Sequence, residues 1–172
     1  MTTVGIVSDT HGVLDPFLLE AFEGCAHILH AGDVGDMAVL DALSEVAPVT
    51  AVRGNIDGGD LRFLPVEATL EVEGVTIGAH HIAGSPVRPN RAAVAQIGRD
   101  GLDVFVCGHS HIWAVQRVKG AMWLNPGAAG VQGFHKERTA MRLTLREGEA
   151  PSLERVQLAP RWLKAGGGEA GG

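Results

Sequence analysis

The stretch "DVFVCGHSH" (103–111) decides the reading of this chain. An apolar run ends in glycine, and two histidines follow with one serine between them. The run reads as a buried strand, and the histidines stand where it leaves the sheet. A strand alternates its faces, so His109 and His111 point the same way only if the backbone stays extended. Such a pair is either a polar turn or part of a metal site, and the rest of the chain must decide between them.

Working outward, the same grammar recurs. "TTVGIVS" (2–8) is an apolar, β-rich run that leads into Asp9 and His11. "HILHAGD" (27–33) ends at Asp33, and "PVTAVRGN" (48–55) ends at Asn55. "VEATLEVEGVTIGAHH" (66–81) reads as a hairpin turning at Glu73-Gly74 and ending at His80 and His81. Helices are expected at 15–24, where Asp15 can cap and Pro16 suits the first turn, at 36–46 behind Asp36, and at 88–101. A second hairpin is expected over 112–127, and further strands at 139–148 and 151–159. β-α units lead and hairpins follow, which implies an α/β domain with sheets in the middle and helices outside. That domain is expected to span residues 1–160, followed by a flexible Gly-rich tail at 161–172.

Polar residues at the carboxyl ends of parallel strands line the ligand crevice of open α/β sheets. Here they are oxygen and imidazole donors. That donor chemistry suits divalent Mn²⁺, Zn²⁺ or Fe²⁺. The donors exceed what one tetrahedral zinc takes. Two ions sharing a carboxylate fit better, and such pairs clamp phosphate esters.

The bulk numbers narrow the function class. The 172 residues carry a formal charge of −6, which argues against a general nucleic-acid binder. No apolar run is long enough to span a bilayer, and the first residues lack the pattern of a secretory signal. The two cysteines, Cys25 and Cys107, form no paired motif, so a reducing cytoplasm is expected.

In order, the motifs are D-x-H (Asp9, His11), G-D (Asp33), G-N-x-D (Asn55, Asp57), H (His81) and G-H-x-H (His109, His111). This series resembles the calcineurin-like metallophosphoesterase superfamily. The length and "LNPGA" (124–128) resemble its small bacterial and archaeal phosphodiesterase branch, to which the retromer scaffold subunit is related. The resemblance implies a four-layer α-β-β-α sandwich of two mixed sheets flanked by helices. It also implies two divalent ions, Mn²⁺ first, with Zn²⁺, Fe²⁺ or Ni²⁺ as alternatives. Asp9, His11 and His111 would hold one ion, Asn55, His81 and His109 the other, and Asp33 would bridge them. Asp33, Asn55 and His81 would take part in catalysis, in which a metal-bound hydroxide attacks phosphorus of a small phosphate ester, most naturally a diester. The alternative is a non-catalytic protein-binding scaffold with a vestigial site.

Three departures matter. Many members of the superfamily have His after G-N, where it protonates the leaving group; here Ile56 stands, and an aliphatic side chain transfers no proton. The fourth motif reads "HHI", so His80 competes with His81, with strand alternation favouring His81. The segment "NPGA" lacks one hydroxyl. Asp57, Arg53 and His30 are candidates for supporting the site or touching substrate. His27 and His135 read as surface or packed histidines, and a homo-oligomer through a hairpin edge is open.

Overall fold

The computed structural model describes residues 1–160, so the expected tail at 161–172 lies outside the described residues. The chain begins with strand β1 (Thr2–Val7), helix α1 (Pro16–Ala21), β2 (His27–His30), α2 (Met37–Ser44) and β3 (Val49–Ala51). A short 3₁₀ turn (Gly59–Phe63) leads to β4 (Glu67–Val72) and β5 (Val75–His80). A two-strand ribbon of β6 (Gly84–Ser85) and β7 (Arg88–Pro89) precedes α3 (Arg91–Asp100). The remaining strands are β8 (Val104–Val106), β9 (Ala114–Val118), β10 (Ala121–Asn125), β11 (Thr139–Leu145) and β12 (Ser152–Gln157).

Two five-stranded sheets result, ordered β12-β11-β1-β2-β3 and β4-β5-β8-β10-β9. Both are mixed. In the first, β1, β2 and β3 run parallel, with β11 antiparallel to β1. In the second, β5, β8 and β10 run parallel, with β4 and β9 antiparallel at the edges. The sheets pack face to face through Ile6, Leu29, Val52, Ile77, Val104, Leu124 and Met141, whose alternation along each strand supplies the shared core.

Helices cover the two outer faces. Leu18 and Phe22 at α1 and Leu43 of α2 pack on Val7 and Ile28 of the first sheet. Ala93 and Ile97 of α3 pack with Phe105 and Trp123 of the second, whose ring centroids are 4.8 Å apart. This is the expected four-layer α-β-β-α order. The caps are those the sequence offers. Asp15 accepts from the Phe17 N–H and Asp36 from the Ala38 N–H, each satisfying a free amide of the first turn.

The element bounds differ in instructive ways. The helix expected over 88–101 starts at Arg91, because Asn90 caps it by accepting from the Ala93 N–H, while Arg88 pairs with Ser85. The strand and turn expected over 103–111 divide at Val106, which leaves both histidines in the turn.

Candidate metal centre

Six parallel strands, β1, β2, β3, β5, β8 and β10, end on one edge of the sandwich, and all seven candidate donors follow five of them. The local backbone is unusual. Asp9, His11, Asp33, His109 and His111 have φ of 55°, 47°, 54°, 66° and 59°, in the left-handed region. Among the described non-glycine residues only Glu73 and Lys119 share it, and both sit in tight hairpin turns. Side chains rarely adopt this conformation, and outside turns it concentrates at functional sites. The condition for His109 and His111 to share a face, an extended backbone, is therefore not met. Each is aimed by its own left-handed twist.

Backbone pairing holds these twists. The Asp9, His11 and Gly12 amides donate to Gly32, Asp33 and Val34 carbonyls, zipping the first donor loop to the second. Gly108 donates to the His81 carbonyl. A Cβ at Gly108 would lie 2.0 Å from Ser8 Oγ and 2.6 Å from Asp9 Oδ2, so only glycine admits this approach.

The donors gather into two groups, Asp9–His11–His111 and Asp33–His81–His109, with donor atoms in each within 4.8 Å of one another. In the first, Asp9 Oδ1 lies 3.0 Å from His111 Nε2 and 3.7 Å from His11 Nε2. In the second, Asp33 Oδ2 lies 3.3 Å from His81 Nε2. That same oxygen is 3.5 Å from His11 Nε2 of the first group. Asn55 joins the second group, with Oδ1 3.1 Å from His81 Nε2 and 3.0 Å from His109 Nδ1.

The proton inventory shows what the groups lack. The Ala31 carbonyl, 2.7 Å from His81 Nδ1, can only accept, so Nδ1 carries the proton. His81 Nε2 then presents a lone pair to the oxygens of Asn55, Asp33 and, at 3.9 Å, Asp9. Acceptors facing acceptors repel unless a proton or a cation lies between them. His11 Nε2 is likewise buried without a hydrogen-bond partner. The residues present therefore fit a divalent ion in each group.

The titration shifts express the same demand for positive charge. For His11, the neighbouring Asp9 carboxylate raises the pKa above the usual imidazole value, against burial and with help from Asp33. For His81, burial lowers it, but the closeness of the Asp33 carboxylate and the fields of Asp9 and Asp33 outweigh that and leave it raised. Burial pushes the Asp9 carboxyl up, but the neighbouring imidazoles of His11 and His111, the field of His81 and the Ser8 hydroxyl hold it well below the usual carboxylate range. Asp33 is also lowered, chiefly by His81 and the Ile56 amide acting against burial.

The surrounding candidates divide. Asp57 is buried and accepts from the Gly35 and Gly54 amides at 3.0 and 2.8 Å, joining the loops that carry Asp33 and Asn55. His30 is fully buried and makes contact with Thr10 Oγ1 and the Gly32 amide. Arg53 donates to the Arg62 carbonyl and lines a recess of about 180 Å³ with Asn55, His80 and His81. His80 lies opposite Glu67 in the sheet register and outside both groups, as alternation required. Arg138 is buried, with Nη1 3.1 Å from Asp15 Oδ2.

Three supporting residues escaped the sequence reading. Ser8 Oγ donates to Asp9 Oδ2 at 2.6 Å. Asn125 Nδ2 donates to the Gly108 carbonyl and to Ser110 Oγ, bracing the G-H-x-H turn. His135 contacts His111 ring to ring at 3.1 Å between Nδ1 atoms. The first two follow buried strand ends, a signal the sequence carries. His135 lies in irregular chain with no periodicity to mark it.

A fold with donors gathered at one sheet edge defines a metal-dependent class. The model of the calcineurin-like phosphoesterase superfamily domain matches residues 2–148, and the chain belongs to that superfamily. It is 34% identical over 136 residues to a probable metallophosphoesterase of Methanocaldococcus jannaschii, covering 74% of this chain and 68% of that one. Its fold is similar to that of a structurally and functionally characterised archaeal phosphodiesterase, with TM-score 0.73 and 22% identity over 91% of this chain and all (100%) of that one. It is also similar to zinc-complexed Vps29 of Entamoeba histolytica, with TM-score 0.70 and 22% identity over 91% of this chain and 99% of that one. The superfamily and the donor groups make this a candidate metal-dependent phosphoric ester hydrolase.

Proposed function

We propose that the protein is a phosphodiesterase working with two divalent ions. Asp9, His11 and His111 would hold one ion and Asn55, His81 and His109 the other, with Asp33 available to both. The observation that carries this reading is Asp33 Oδ2, which lies 3.5 Å from His11 Nε2 and 3.3 Å from His81 Nε2, between the two acceptor groups. Bound ions at such a pair supply Lewis-acid charge to the phosphoryl oxygens and a water of lowered pKa.

The chain's own residues do the rest. Asp9 and Asp33 are the two carboxylates of the site, so two divalent ions leave it net positive and attractive to a phosphate ester. Asn55 carries an amide that both ligates through Oδ1 and offers Nδ2 hydrogens to a phosphoryl oxygen. His81, held by the Ala31 carbonyl, keeps its Nε2 fixed on the reacting side. Two recesses flank the donors: the one of about 180 Å³ beside Asn55 and His81, and one of about 380 Å³ lined by His109, His111, Ile112 and Phe134. A diester has two substituents to lodge, and a monoester has one. Ile56 stands exposed beside Asn55 and transfers no proton, which favours esters with good leaving groups. Mn²⁺ is the first choice of ion, because carboxylate, amide and imidazole donors suit it.

The Vps29 likeness and the exposed side chains of Ile56, beside Asn55, and Ile82, beside His81, support a second reading, a protein-binding scaffold. The two separate in one assay. Metal-stripped protein is given Mn²⁺ and either bis-p-nitrophenyl phosphate or p-nitrophenyl phosphate, beside Asp33→Ala. The enzyme reading predicts Mn²⁺-dependent cleavage favouring the diester, reduced at least ~100-fold in the variant. No turnover with any divalent ion, in folded protein, moves the assignment to the scaffold.

A further inference from the structure

The loop before β11 brings His135 against His111, a residue of the first donor group. His135 Nε2 lies 2.9 Å from the Gly130 carbonyl, and His135 Nδ1 lies 3.1 Å from His111 Nδ1. The rings meet edge to face, with centroids 4.9 Å apart at 83°. On its other side, His111 Nε2 reaches Asp9 Oδ1 at 3.0 Å.

With His135 uncharged, one proton arrangement fits the contacts between the two rings. A carbonyl accepts, so His135 Nε2 must carry a hydrogen. An uncharged His135 then has a bare Nδ1, which accepts. His111 Nδ1 must therefore be the donor. His111 Nε2 is left to face Asp9, with its lone pair available to a cation. The Gly130 amide closes the circuit by donating to the Asp9 backbone carbonyl at 3.0 Å. Asp9 and His111, two donors of one group, are thus tied to each other through Gly130 and His135.

Close packing accompanies the contact. A Cβ at Gly133 would lie 2.4 Å from His111 Nδ1 and 3.3 Å from His135 Nδ1, on a backbone with φ of 112°. The loop approaches the pair as nearly as glycine allows.

We infer that His135 is a positioning residue that fixes the tautomer and ring orientation of His111, so that Nε2 is presented to the ion of the Asp9–His11–His111 group. Metal-binding histidines commonly donate their second ring N–H to a carboxylate, a carbonyl or water. Here a second histidine, itself anchored on a carbonyl, takes that place. The inference rests on the proposed ion site in one respect only, the use to which Nε2 is put.

Three variants separate positioning from mere loop anchoring. Asn at 135 places an oxygen acceptor near the Nδ1 position and gives up the bond to Gly130. Gln keeps a donor near the Nε2 position and gives up the acceptor. Leu gives up both. Two readouts are taken: Mn²⁺ binding by calorimetry, and the ¹⁵N imidazole signals of His111 in metal-free protein at about pH 8, where an ordinary histidine is uncharged. The expected result is a single His111 tautomer protonated at Nδ1 in wild type and in His135→Asn, and mixed tautomers in His135→Gln and His135→Leu. Affinity for one of the two ions should fall ~10–100-fold in Gln and Leu and recover substantially in Asn. A wild-type His111 protonated at Nε2, or rescue by Gln and not by Asn, overturns the inference. If wild type takes up no ion at all, the proposed function fails, while the tautomer signals still decide the role of His135.

Discussion

His30 shows how a single buried side chain sets the acid tolerance of this site. It is fully buried, with Thr10 Oγ1 3.0 Å from Nε2 and the Gly32 amide donating to Nδ1. Because Nδ1 accepts, Nε2 holds the one proton and donates to Thr10, whose hydroxyl donates onward to the Val34 carbonyl. Burial holds its pKa down at about 4. A histidine with a depressed folded pKa contributes stability above its unfolded value of about 6.5, and that stability is lost as pH falls toward about 4. The amount at stake is ~3 kcal/mol. In chelator, the urea midpoint of wild type should therefore fall between pH 6.5 and 4.5 more steeply than that of His30→Gln. Parallel slopes would contradict this account of His30. Asp9 and Asp33, with lowered pKa values, act in the same direction but mainly below that window, and they are present in both proteins.

At the scale of elements, the strand ends matter more than the strands. The turn between β8 and β9 works because Gly108 leaves room for Ser8 and Asp9, while Asn125 at the end of β10 braces the Gly108 carbonyl. Gly108→Ala forces a methyl group into atoms 2.0 Å away. It should destabilise the fold by ~1–3 kcal/mol and weaken ion binding in both groups, since the loop carries His109 for one and His111 for the other. Unfolding and calorimetry read the two effects, and an unchanged ion affinity would count against the shared loop. These donor loops were legible in the sequence because each places a polar donor at the end of an apolar run, three of them directly behind glycine, as in "HAGD" and "CGHS". What escaped was set by tertiary contact. The β6–β7 ribbon is four residues whose pairing no local pattern announces. α1 ends at Ala21 although Gly24 promised a later stop, because Phe22 turns in with its amide on Leu18 and Leu19 carbonyls and buries its ring. Nothing near His135 marks it as a partner of His111; only the fold brings them together. Conversely, the left-handed twists at Asp9, His11, Asp33, His109 and His111 were not legible, since none of these residue types demands one.

At the scale of the molecule, two mixed sheets share one apolar interior and deliver six parallel strand ends to one edge. The edge concentrates two depressed carboxyls and two raised imidazoles, so the fold carries electrostatic strain there that positive charge relieves. Ion binding should therefore stabilise the whole molecule. At an ion concentration of 100 times Kd, each site adds ~2.7 kcal/mol. For a chain of this size that corresponds to a rise in Tm of ~5–10 °C per site. Thermal melts with Mn²⁺ and then with excess chelator check this; a Tm indifferent to both would remove ions from the account. Among the described residues no helix is long and apolar enough to cross a membrane.

The most direct measurement is anomalous diffraction from crystals soaked in Mn²⁺. The account predicts two peaks ~3.5–4 Å apart, one among Asp9, His11 and His111, the other among Asn55, His81 and His109, with the Asp33 carboxylate touching both. A single peak, or ions that leave Asp33 untouched, would contradict it.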